Sequence, residues 1–113
     1  MRKVSIEAVA REQLAVATAS SAHRAASTVF GGHEKVMRQT VVALTAGARL
    51  AEHLNPGEAT ILVLSGRVEL VCGGEVWSGR AGDLIIMPSA VHSVCALSDA
   101  AVLLTAVPLT RRP

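Results

Sequence analysis

A chain of 113 residues has room for one domain with a hydrophobic core and none for a second. Half of its residues are apolar, yet no uninterrupted apolar stretch approaches the roughly 20 needed to cross a bilayer. The net charge of +2 comes from scattered basic residues, and with Phe30 and Trp77 the only aromatic side chains there is neither a basic stripe nor a stacking platform for nucleic acid.

The opening segment MRKVSIEAVAREQLAVATASSA imitates a secretion signal: a basic start, an alanine-rich middle and small residues at its end. Glu7, Arg11 and Glu12 interrupt what would have to be an apolar middle, which excludes that reading. The spacing of Ile6, Val9, Ala10, Leu14 and Ala17 predicts instead a short amphipathic helix capped by Ser5. Glu7 and Arg11 stand four apart on its wet face, and the small polar run Thr18 to Ser21 ends it. Residues 1–22 are thus expected to be helix and linker, and 23–113 the main domain.

From Arg24 onward the text changes to short runs rich in Val, Ile, Leu and Thr: RAASTVF, KVMRQTVVALT, TILVLS, RVELVC, DLIIMP, HSVCAL and AVLLTAV. Turn residues separate them, among them Gly31–Gly32, Pro56–Gly57, Ser65–Gly66, Gly73–Gly74 and Gly82–Asp83. Short strands with tight turns and no intervening helix predict an all-β, antiparallel sandwich or barrel. RVELVCGGEVW is the clearest hairpin, two alternating strands about a Gly-Gly turn. ILVL is apolar at four consecutive positions, so both faces of that strand need cover. The helix, a second sheet or a partner subunit could supply the outer cover.

Two cysteines, Cys72 and Cys95, do not make a disulfide framework, which points to a reduced, cytoplasmic chain with both thiols as small buried hydrophobes on adjacent strands. Trp77 is expected on the outer sheet face or in a dimer interface. Asp83 reads as a turn residue bonded to its own backbone, and His23 as a surface residue.

Gly47, five residues, His53, then Glu58 and Gly66 resembles the first motif of the cupins, in which a glycine, five residues and His-x-His precede a glutamate and a later glycine. Gly82, five residues, Pro88 and then His92 resembles the second. The resemblance spans residues 36–107, and the short gap from Gly66 to Gly82 suits the small single-domain members found in bacteria. It implies an antiparallel jelly-roll barrel, often a homodimer, whose motif side chains hold a divalent Fe, Mn, Ni, Zn or Cu. Carried over by position, His53 and His92 are the candidate ligands. The second histidine of the pair is replaced by Asn55, and Ala59 stands where the glutamate belongs, with Glu58 one position early. The second motif is one residue short and ends at Ala96 rather than asparagine. Further ligands would have to come from Glu58 through a bulge, from Asn55, from His33 in the GGH turn, or from Gln39 on the next strand.

Three functions are compatible with these residues. A ligand-binding cupin would line its barrel with Gln39, Ile61, Val63, Val68, Leu70, Ile86 and Val94, with His53 and His92 as polar anchors. A metal-dependent oxygenase or isomerase acting on a small organic molecule would need a fuller ligand set. A structural barrel would need neither. The expected partners are a small molecule and a second copy of the chain, with no nucleic acid and no membrane.

Overall fold

The computed structural model describes residues 1–54, 57–87 and 91–108, with 51–54 and 91 described as backbone. Helix α1 runs from Ile6 to Ala19. The Ala8 amide donates to Ser5 Oγ at 3.2 Å, satisfying one of the open amides of the first turn. Arg11 bonds Glu7 one turn back at 3.3 Å on the exposed face.

Nine strands follow among the described residues: β1 (Arg24–Phe30), β2 (Arg38–Leu44), β3 (Arg49–Leu54), β4 (Glu58–Ser65), β5 (Arg67–Cys72), β6 (Glu75–Arg80), β7 (Leu84–Ile86), β8 (Val91–Ala96) and β9 (Ala100–Val107). They form two antiparallel sheets, ordered β1-β2-β9-β4-β7 and β3-β8-β5-β6. The chain crosses between the sheets repeatedly, as a jelly roll requires. Strand alternation assigns the faces. Val42, Leu44, Ala59, Ile61, Val63 and Val102 from the first sheet meet Val68, Leu70, Val94 and Ala96 from the second in one buried core.

The outer face of the five-stranded sheet has its own small core. Ala10 of α1 packs with Val41 and Ala101, flanked by Ile6, Val9, Leu14, Leu64 and Leu103. The helix therefore supplies the outer cover of the doubly apolar strands over β1, β2 and β9. Farther along the same face, Leu84 and Ile86 on edge strand β7 stay exposed. No helix among the described residues is long and apolar enough to cross a membrane.

Two turns explain much of the geometry. Gly73 and Gly74, both at positive φ (54° and 92°), close the β5–β6 hairpin with a two-residue turn whose twist matches the strands. At Gly82–Asp83 the Arg80 amide donates to Asp83 Oδ2 at 3.0 Å and the Asp83 amide donates to the Arg80 carbonyl at 2.9 Å, as expected of a self-bonded turn aspartate.

Candidate functional site

The hairpin register carries the site. Val68 pairs with Gly79, Leu70 with Trp77 and Cys72 with Glu75, so these six positions share the inward face of the four-stranded sheet. Gly79 draws the two sheets together: a Cβ there would lie 2.8 Å from Ile85 Cδ1 and 3.3 Å from Val63 Cγ2. Two and four residues earlier on the same face, Trp77 and Glu75 meet no such closure. The sandwich opens there into a cavity of about 530 Å³. By this register Leu70, Cys72, Glu75 and Trp77 form one wall and Ile85 the other, while Ser78, Asp83, Leu84 and Ile86 touch the cavity at its rim. Its walls are mainly apolar, with the Cys72 thiol and the Glu75 carboxylate on the inward face.

The residues expected to form a site distribute differently. His53 pairs with His92 across β3 and β8, and the His92 side chain is buried, 1% exposed. Ile61, Val63, Val68 and Val94 face inward as expected, but they are packed core and fill the barrel where they were expected to line a pocket. Leu70 does both.

Four expectations are corrected. Gln39 pairs with Thr105, with its Nε2 3.2 Å from Thr105 Oγ1, on the same face as Val41, which packs under α1. Glu58 is exposed, and the β4–β9 ladder is regular from Glu58 to Val63, so no bulge turns it inward. His33 is exposed in the loop between β1 and β2. Ile86 pairs with Thr60 on the outer face and is 70% exposed, touching only the cavity rim, while Ile85 takes the inward position. Asn55 lies outside the described residues.

Sequence reasoning missed Cys72, Glu75, Trp77 and Ile85. The signal was present for the first three, because a two-residue Gly-Gly turn fixes the pairing and an inward Leu70 forces an inward Trp77. Trp77 is therefore on the cavity face rather than the outer one. The two cysteines are half-buried on opposite faces, since Cys72 shares a face with Leu70 while Cys95 pairs with Glu69.

The fold implies a divalent metal at the motif positions, and the described residues do not fit one. Where a glutamate ligand would project, the Ala59 methyl is packed into the core at 8% exposed, and Glu58 faces solvent. Among the described residues no group of three or more His, Cys, Asp or Glu side chains could hold a metal ion. A transition-metal site ordinarily takes three or four protein ligands.

Comparison with known proteins agrees with this architecture. The family model described as the cupin domain matches residues 40–108. A protein of unknown function from Streptococcus pyogenes is similar at 25% identity over 81% of this chain and 80% of its own, with a TM-score of 0.71. An RmlC-like cupin from Desulfovibrio desulfuricans shares 28% identity over 76% and 84%, with a TM-score of 0.66. The salicylate 1,2-dioxygenase of Pseudoaminobacter salicylatoxidans is similar in fold, with a TM-score of 0.73 at 22% identity over 89% of this chain and 33% of that one. No curated protein matches the sequence significantly. With the family model covering well over half of its length and the two-sheet order of a jelly roll, the chain belongs to the cupin family.

Proposed function

We propose that this cupin domain binds a small organic molecule in the cavity between the β5–β6 hairpin and β7. The observation that supports this is the cavity itself: about 530 Å³, walled mainly by apolar side chains with a few polar groups, falls within the roughly 300–1,000 Å³ of small-molecule sites. Trp77 adds to it, because a large side chain left 60% exposed on the inward face gains little where it stands and offers a flat surface to a guest. Dispersion and apolar burial supply the affinity, while Glu75 and Cys72 fix orientation.

The metal-dependent oxygenase or isomerase reading is not favoured by the ligand positions. A ligandless structural barrel would leave the cavity without use. Binding in the cytoplasm is favoured by two free cysteines. A homodimer is favoured by Leu84 and Ile86, exposed beside each other on an edge strand that α1 does not cover.

The test is a thermal-shift screen of small metabolites, repeated with Leu70→Trp to fill the cavity. Ligands that raise the melting temperature of the native chain and not of the filled variant support the reading. Hits that stabilise both equally place binding elsewhere and defeat it.

A further inference from the structure

The cavity has a chemical bias of its own. Among the described residues two acidic ones line it, Glu75 and Asp83, and no lysine, arginine or histidine does, although the chain as a whole carries a net charge of +2. Asp83 is committed, its Oδ2 accepting the Arg80 amide in the turn below. Glu75 is not: the ion pair found among the described residues is Arg11–Glu7, far away on the helix. Glu75 and Trp77 stand two apart on one strand and so lie on the same inward face, the carboxylate nearer the hairpin turn and the indole deeper. Below them the wall is aliphatic, with Leu70 and Ile85.

Resting on the proposal that this cavity is the ligand site, we propose that its ligand is a small organic cation, an ammonium group on an apolar or aromatic body. The ammonium sits between the Glu75 carboxylate and the face of Trp77, where charge pairing and the ring quadrupole both favour it. The body lies against Leu70 and Ile85. A cleft with low-dielectric walls strengthens the single uncompensated carboxylate relative to one on an open surface. The same carboxylate repels an anionic head. A neutral head loses the pairing without being excluded.

Trp77 is the only tryptophan and there is no tyrosine, so intrinsic fluorescence reports on this cavity directly. The experiment titrates the full-length chain at pH 7 with three probes of one shape and different heads: 2-phenylethylammonium, 2-phenylethanol and phenylacetate. The expected result is that the ammonium binds about 10-fold tighter than the alcohol, with the carboxylate weakest. Glu75→Gln, an exposed and near-isosteric change, should remove most of the ammonium's advantage over the alcohol, leaving only what the Trp77 ring supplies. Added salt should weaken the ammonium alone. Equal or tighter binding of the alcohol or the carboxylate overturns the cation assignment while leaving the cavity a ligand site. Failure of all three probes to perturb Trp77 overturns both.

Discussion

Gly66 turns the chain from β4 into β5 with φ of +75°, and a Cβ built on it would lie 2.0 Å from the Asp99 carbonyl oxygen, 2.8 Å from Ala100 Cα and 2.9 Å from Ala100 Cβ. Gly47 also has a positive φ, +87°, but its Cβ would meet nothing within 4 Å. The pair separates two costs. Alanine at either position takes the left-handed penalty of about 1–2 kcal/mol. At Gly66 it must also displace backbone, which a rotamer change cannot do. The opposing segment is held in place, since the Ala46 amide donates to Asp99 Oδ1 at 2.8 Å, the Arg67 amide to Ser98 Oγ at 3.0 Å and the Leu97 amide to the Arg67 carbonyl at 2.9 Å. Overpacking of this kind adds about 1–3 kcal/mol. Gly66→Ala should therefore lose about 2–5 kcal/mol, a large share of the roughly 5–15 kcal/mol that holds an ordinary domain, and Gly47→Ala only about 1–2. Urea unfolding followed through Trp77 fluorescence measures both. Losses within about 0.5 kcal/mol of each other would refute the close contact between this turn and the β8–β9 connection.

Other substitutions probe the face assignments. Ile85→Ala should cost about 2 kcal/mol and enlarge the cavity, whereas Ile86→Thr should stay within about 0.5 kcal/mol in denaturant unfolding; the reverse order would overturn the β7 register. If the exposed face of β7 joins two copies, Ile86→Asp should convert the dimer mass to a folded monomer in analytical ultracentrifugation, and a native chain that is already monomeric at micromolar concentration would remove the dimer. Ala59→Glu buries a carboxylate in the core and should lower the melting temperature by the equivalent of about 2–4 kcal/mol without metal. Added Zn²⁺ or Mn²⁺ should recover part of that loss and should leave the native chain unmoved; equal stabilisation of both would show that the native residues already hold a metal. Ala10→Asp should open the helix–sheet contact with Val41 and Ala101, lowering stability by about 2 kcal/mol and promoting aggregation on heating.

The legible part of this fold is what period and turn chemistry control. Ser5 and the apolar spacing marked α1, the Gly-Gly dipeptide marked the β5–β6 hairpin, and alternation set Ile61 and Val63 on the core side. Parity failed where both faces of a strand are apolar. In RQTVVAL both sides of β2 turn apolar from Val41 to Leu44, because one packs in the barrel and the other under α1, so parity does not tell which side Gln39 takes. A three-residue strand such as Leu84–Ile86 has no alternation to read, and Ile85 and Ile86 exchanged roles for that reason.

The site was less legible because its lining lies away from the family's ligand positions. There His53 opposes His92, but Ala59 has only a methyl to offer. The residues that line the cavity lie on the hairpin, where Trp77 resembled a surface residue until its partner Leu70 placed it. Glu75 looked like any strand-end carboxylate for the same reason. Neither residue type announces a site by itself; the register does.

If the hairpin cavity, rather than the His53–His92 end, receives the ligand, binding must be felt first on β5, β6 and β7. Amide and indole chemical-shift mapping on ¹⁵N-labelled protein, with any compound that raises the melting temperature, tests it most directly. The Trp77 indole N–H and the amides of Leu70, Cys72, Glu75 and Ile85 should shift together and saturably. Shifts confined to β3 and the start of β8, with Trp77 unmoved, would contradict it.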